Sequence, residues 1–483
     1  DLRIADNPAL TRVAGFGSLR QIASDLRILE NPKLREVTGF GRLTYIAEYS
    51  DPQDRPDPAG EDDTGGGANH TDPSFRPGVT DPHIVVTDNP ALETIDGFAS
   101  LTDIDGDIRL RHNPRLKHIG GFGQLEFMTG ELLVVDAPRL SDIDALVRTS
   151  CLQTVRLEKT GVTDLGALST LWELGALELV DNPKLADVGP LSEQLRLHGP
   201  IVVDNNDSLD SIAGLGSPEV IDREEYRDFE MPTAYRDTAN VKCVPMVENR
   251  AGEDRRIEGS VRIVENDSLQ RLGQLAWREV GGTLRIAEND ELTSLEGLSE
   301  LRTAEQSIEI IGNDSLRRLE SFDRLGLLEG DLAIAEHDNL ETLRGFALIA
   351  DIRGNLRIAD NPALESIDGF DNLDHAGDVT LRDNSATDLD AFARLEYIDS
   401  LEITENSSLA HLEDFVSLKQ VRGTFRITDN PKLTRLDRFD ALEEIEDGLI
   451  VQDNPKLPSC EVDALTGSAE MSYALVEDNA SCQ

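Results

Sequence analysis

The sequence predicts an all-β fold, a β-solenoid of about 18 coils with a repeat of about 24 residues. Three observations predict it. One frame recurs along the chain, each frame opens with a period-2 apolar alternation, and an asparagine returns at a fixed slot in most frames.

The recurrence is visible by direct comparison. DLRIADNPALTRVAGFGSLRQIAS from Asp1 matches DLRILENPKLREVTGFGRLTYIAE from Asp25. The frame returns as NLRIADNPALESIDGFDNLDHAGD from Asn355 and TFRITDNPKLTRLDRFDALEEIED from Thr424. The consensus is L-x-I-x-x-N-P-x-L-x-x-I-x-G-F-x-x-L-x-x-I-x-G-D. Leu2 and Ile4 flank Arg3, the mark of a strand with one buried face. Leu10, Val13, Phe16, Leu19 and Ile22 then recur every third residue, which suits short extended segments joined by bends. Asn-Pro and Gly-Phe mark the corners. No sustained helical stripe exists, so little helix is expected. One coil cannot bury its apolar face alone, and stacked coils can.

The asparagine slot holds Asn7, Asn31, Asn89, Asn113, Asn182, Asn206, Asn266, Asn289, Asn313, Asn361, Asn384, Asn406, Asn430, Asn454 and Asn479. Ala137, Thr160 and His337 fill it in weaker copies. An amide has two donors and two acceptor lone pairs, so an inward Asn can tie down corner backbone groups in neighbouring coils. Phe16, Phe40, Phe98 and Phe122 should stack as a spine, as should Phe322, Phe346, Phe370, Phe392, Phe415 and Phe439. Sequons such as Asn206-Asp207-Ser208 and Asn266-Asp267-Ser268 use the inward Asn and read as structural. Asn69-His70-Thr71 is the one expected to be accessible.

Composition narrows the function classes. The formal charge is −47, so a nucleic-acid partner is not expected. Of the 46 basic residues 8 are lysine and 38 arginine, a bias that salt adaptation and a GC-rich genome would both give. No stretch approaches the roughly 20 apolar residues of a membrane span. The chain opens at Asp1 within a repeat, which suggests that the natural protein extends upstream.

Two segments interrupt the frame. Boundaries are expected at 1–46 (coils), 47–82 (a Pro/Gly/Asp-rich loop), 83–221 (coils), 222–258 (a second insertion), 259–453 (coils) and 454–483 (last coil and C-terminal cap). Both insertions leave after the same consensus isoleucine, Ile46 or Ile221, and so should project from one corner. Long loops on a rigid scaffold commonly carry function. In the second, Tyr226, Phe229 and Tyr235 are the candidate partner-binding residues. One continuous stack is favoured because the frame resumes in register; two domains split near 217–258 are the alternative.

The frame L-x-I-x-x-N-P-x-L-x-x-I-x-G-F/L-x-x-L resembles the receptor L-domain family, a relative of leucine-rich repeats found in receptor ectodomains and bacterial surface proteins. The ending from Asn454 to Cys482, NPKLPSCEVDALTG…VEDNASC, is similar to the C-terminal cap of the bacterial forms. The resemblance implies a right-handed solenoid with ligand-recognition or adhesive roles and no shared catalytic residues. This chain departs from receptor modules in its length and acidity, so their mode of ligand binding is not carried over.

Four cysteines allow three pairings, and an even, sparse count fits an oxidising compartment. Cys151 lies at the insertion corner about three coils, or ~14 Å, before the second loop. Cys151–Cys243 is therefore expected to pin that loop, with Cys460–Cys482 closing a cap.

The strongest chemical feature is an acid immediately before the Asn slot. It is present as Asp6, Glu30, Asp88, Asp136, Asp181, Glu265, Glu288, Glu336, Asp360, Asp383, Glu405, Asp429, Asp453 and Asp478. Carboxylates about 5 Å apart either shift their pKa or recruit cations, and oxygen ligands suit calcium. The run Asp360, Asp383, Glu405, Asp429 and Asp453 is the candidate calcium column. The competing readings are a corner cap pointing to water, or pairing with the Arg three residues earlier. Catalysis lacks support: the eight His are scattered, and no GxSxG, HExxH or phosphate loop occurs. The expectation is a secreted or cell-surface, non-catalytic protein that binds a protein or glycan. A self-associating subunit of a filament, sheath or surface layer is the alternative, and a polysaccharide-active β-helix enzyme the third.

Overall fold

A computed structural model describes residues 1–46, 82–128, 130–143, 151–171, 173–189, 191, 196–197, 199–216, 256–387, 389, 391–436 and 439–482. The chain is an all-β parallel solenoid with a repeat of about 24 residues, as the alternation and the recurring frame predict, with about 16 turns in place of the 18 coils expected. It divides into two compact units. The first comprises Asp1–Leu185, Gly189–Leu197 and Ser217–Gly252; the second comprises Ala186–Val188, His198–Gly216 and Glu253–Gln483.

In the first unit the opening LxI of each frame forms one parallel sheet. Leu2–Ala5 pairs with Leu26–Leu29, which pairs with Pro82–Thr87, then Asp107–Arg111, Glu131–Ala137, Cys151–Thr160 and Glu173–Val180. Leu26 stands opposite Ile84 although 47–81 intervenes, so the frame resumes in register after the first insertion. Two-residue strands line the other walls, such as Arg12–Val13 on Glu36–Val37 and Gln21–Ile22 on Tyr45–Ile46. Every strand is parallel because each coil returns to the same wall travelling in the same direction.

The second unit repeats this plan. Ile201–Asp204 pairs with Val261–Val264, and the sheet continues through Leu284–Ala287, Ile308–Ile311, Leu332–Ala335 and Leu356–Asn361. It then runs through Val379–Asn384, Leu401–Thr404, Thr424–Thr428, Gly448–Gln452 and Ala474–Glu477. Ile201 opposite Val261 spans the second insertion in the same register.

The core is aliphatic and continuous within each unit; Leu26, Ile28, Leu34, Val37 and Leu43 are all fully buried. The phenylalanines form the two expected spines. Phe16, Phe40, Phe98 and Phe122 stack at 5.0, 5.3 and 4.7 Å between ring centroids. Phe322 to Phe439 stack at 5.0 to 5.8 Å. A left-handed backbone is needed at some Gly-Phe corners: Gly345 and Gly369 have φ of +111° and +95°. A Cβ on Gly369 would also meet the Gly345 nitrogen at 3.0 Å.

One element lies outside the sequence expectation. Helix α1, Ser459–Ser468, follows Pro458 and buries Val462 and Leu465. Its signal was local: a proline at the start and Glu461 in the first turn, where the helix N-terminus favours an acid. The disulfide Cys460–Cys482 joins it to the chain just beyond the last strand, as expected. Ser459 N–H donates to the Ala480 carbonyl at 2.8 Å beside it. Cys151–Cys243, and the bulk of segments 47–82 and 222–258, lie outside the described residues.

Candidate functional site

The corner at the Asn slot is where chemistry concentrates. Inside it, the asparagines form a hydrogen-bonded ladder. In the first unit the backbone N–H of Asn7 donates to Asn31 Oδ1 at 3.1 Å, Asn31 to Asn89 at 3.1 Å, and Asn89 to Asn113 at 3.2 Å. In the second unit the same bond links Asn266 to Asn289, Asn289 to Asn313, and Asn406 through Asn430 and Asn454 to Asn479. The amide nitrogens donate to backbone carbonyls and along the ladder: Asn289 Nδ2 gives to the carbonyls of Ile263 at 3.0 Å and Ala287 at 2.9 Å and to Asn313 Oδ1 at 3.1 Å. Asn31, Asn89, Asn266, Asn289 and Asn430 are fully buried. The sequon asparagines Asn206 and Asn266 are therefore interior, as their position in the frame predicts. Asn69 is outside the described residues.

The residue before each Asn is left-handed. All fourteen acids of the column have positive φ, between 49° and 62°. His112, Lys159 and Asn205 occupy the same slot with φ of 51° to 53°, and Gly312 does so at 60°. The positive φ turns the chain so that the next side chain enters the core. Asp and Asn tolerate this region and glycine favours it, but Glu30, Glu265, Glu288, Glu336 and Glu405 have no such preference. The acid column is thus first a backbone position. This reason was absent from the sequence reading, although Gly312 and Asn205 in the slot carried the signal.

The calcium candidates sit in this row. Asp360 accepts from Arg357 at 2.7 Å and from Arg382 at 2.6 Å, and the latter bond raises the Arg382 pKa. The Arg357 bond is the i,i+3 pairing expected for the column. Elsewhere the arginine turns away from its acid: Arg262 pairs with Asp204 and Arg285 with Glu309. Asp383, Glu405, Asp429 and Asp453 share the left-handed conformation. Among the described residues no three His, Cys, Asp or Glu side chains gather as a metal-binding group. One step along, partial desolvation and then the carboxylates of Asp314, Asp267, Glu288 and Glu291 raise the Asp290 pKa.

On the first unit the corner carries a shallow groove of about 500 Å³. It is lined by Glu30, Asp88, His112 and Asp136 from the slot before the asparagine and by Pro32, Pro90 and Pro114 from the slot after it. The buried asparagines separate the two rows in sequence. His112 Nδ1 lies 3.1 Å from Asp88 Oδ1.

A second ladder at the start of the long strands also escaped the sequence reading. Asp107 Oδ1 accepts the Glu131 N–H at 2.8 Å, Ser307 Oγ that of Asp331 at 3.1 Å, and Asp331 Oδ1 that of Asn355 at 2.7 Å. Its signal was the closing G-D of the consensus. Asp107 is fully buried, so this is a structural acid. Tyr226, Phe229 and Tyr235 lie outside the described residues.

No protein-family model and no curated protein matches the sequence. Among solved structures, a leucine-rich repeat protein from Bacteroides thetaiotaomicron VPI-5482 is 12% identical with a TM-score of 0.34. That match covers 80% of this chain but 45% of the other, so this chain spans under half of that protein's length. A leucine-rich repeat protein from Bacteroides ovatus ATCC 8483 is 9% identical with a TM-score of 0.20, covering 98% and 92%. The receptor L-domain likeness remains one of sequence frame, and the solenoid assignment rests on the strand register of the chain itself.

Proposed function

We propose that this chain is a non-catalytic recognition scaffold of the cell exterior that binds a protein or glycan partner on the outer faces of its coils. The disulfide at Cys460 and Cys482 supports a non-cytoplasmic compartment. Among the described residues no helix is long and apolar enough to cross a membrane. The observation that carries the reading is the corner groove of the first unit. The ladders occupy the inward polar groups, whereas Glu30, Asp88 and Asp136 present carboxylates beside a rigid proline ledge. Such a trough suits an extended, positively charged segment, because like charge would repel it and complementary charge speeds and orients association. The second insertion, with Tyr226, Phe229 and Tyr235, is the other proposed contact.

The test is binding of the full chain to a panel of basic peptides, whole extracellular proteins and neutral glycans. Three forms are compared: the unmodified chain, the deletion of 222–258, and the combination Glu30→Gln, Asp88→Asn, Asp136→Asn. Saturable binding lost in one altered form supports the reading and assigns the site. Saturable binding retained by both altered forms would remove both proposed surfaces.

A further inference from the structure

His337 occupies the asparagine slot of the second unit with its ring fully buried. Its two nitrogens reproduce the two functions of the amide they replace. Nδ1 accepts the Asn313 N–H at 3.0 Å, where Asn Oδ1 accepts in other coils. Nε2 lies 3.1 Å from the Ile310 carbonyl, the place where Asn289 Nδ2 meets Ile263. Above, the His337 N–H donates to Asn361 Oδ1 at 3.2 Å, so the ring is a full rung. One feature separates it from asparagine: it can gain a proton near neutral pH.

We propose that His337 is an acid-sensitive rung, whose protonation opens the coils between Asn313 and Asn361 in the second unit. The bonded geometry requires the neutral ring with its hydrogen on Nε2. A second proton on Nδ1 would face the Asn313 N–H and orphan that buried donor. The only exchange on offer is the Asn313 carbonyl, farther away at 3.3 Å.

Charged neighbours do not reverse this. The slots around the ring carry Asp290 and Asp314, Glu336 and Asp338 on its own coil, and Arg357 and Asp360 on the next; all are exposed or half-buried on the wall. Of these Asp314 acts on the ring and favours the proton, as do the Ile310 and Asn313 carbonyls, but burial outweighs them and lowers the His337 pKa. The sign follows. A histidine with a lowered folded pKa contributes stability that is complete above its unfolded pKa of about 6.5. That stability is lost as pH falls below this value toward the folded pKa. The opening equilibrium then grows about tenfold per pH unit, or up to about 30-fold at about pH 5.

His337→Asn is the discriminating variant, because it keeps both hydrogen bonds and removes the titration. Hydrogen exchange of peptides spanning 310–361 is measured on the full chain at about pH 5 and about pH 7.5 and corrected for intrinsic rates. The wild type should open more in acid by about ten- to thirty-fold relative to His337→Asn, cancelling the shared effect of the surface carboxylates. Superimposable pH profiles would overturn the proposal. If His337→Asn does not fold, ring NMR of the wild type decides. A ring that gains its proton near pH ~6.5 while the exchange protection of 310–361 is unchanged would also overturn it.

Discussion

Removing one rung from the ladder gives the sharpest stability prediction. In Asn289→Ala, the N–H of Asn266 loses its acceptor at 3.2 Å and the Asn266 Nδ2 loses one at 3.1 Å. The Ile263 carbonyl loses a donor at 3.0 Å. The Ala287 carbonyl keeps the Glu265 N–H at 3.1 Å, so it is not orphaned. A buried backbone donor left without a partner costs about 1–3 kcal/mol, and each further lost bond about 0.5–1.5 kcal/mol. The sum is about 2–6 kcal/mol, concentrated in the coils around 263–313. The neighbour Asp290→Ala is the control. Its carboxyl is crowded by Asp314, Asp267, Glu288 and Glu291, so its removal should be neutral or slightly stabilising. The assay is urea unfolding followed by circular dichroism, with hydrogen exchange to locate the loss, because stacked repeats can unfold in more than one step. A cost for Asn289→Ala below about 1 kcal/mol, or no larger than that of Asp290→Ala, would refute the ladder as a load on the core.

Further outcomes follow from the same geometry. Glu288→Gly at φ +54° should stabilise by up to about 1 kcal/mol in thermal unfolding, and Gly312→Ala at φ +60° should destabilise by a similar amount. Phe346→Ala, between Phe322 and Phe370, should cost about 3–5 kcal/mol by denaturant unfolding, whereas Phe346→Leu should cost much less. Reducing Cys460–Cys482 should speed hydrogen exchange in 459–482 and leave coils of the first unit unchanged.

Much of the fold was legible because the repeat is strict where the core is strict. Leu26, Ile28 and Phe40 must meet apolar neighbours in the next coil, Ile84, Val86 and Phe98, so their spacing survives in the sequence. The inward Asn and the two Phe spines were readable for the same reason. The corner acids were harder. Asp6 and Glu30 look like a charge column, and the left-handed backbone that the slot demands is hinted at in the sequence by Asn205 and Gly312 alone. The Asp107 and Ser307 ladder was hidden because it uses different residue types for one acceptor role. His337 read as a weak copy of the frame, yet its ring completes the rung with both nitrogens. Helix α1 carried too few apolar positions, Val462 and Leu465, to raise a periodic signal.

The most direct measurement is thermal unfolding of the full chain in millimolar calcium chloride and in sodium chloride at matched ionic strength. If the carboxylates at Asp360, Asp383, Glu405, Asp429 and Asp453 serve as left-handed corners on a solvated face, the two curves superimpose. A calcium-specific rise in Tm would contradict this, because a ligand raises Tm only through sites in the folded state.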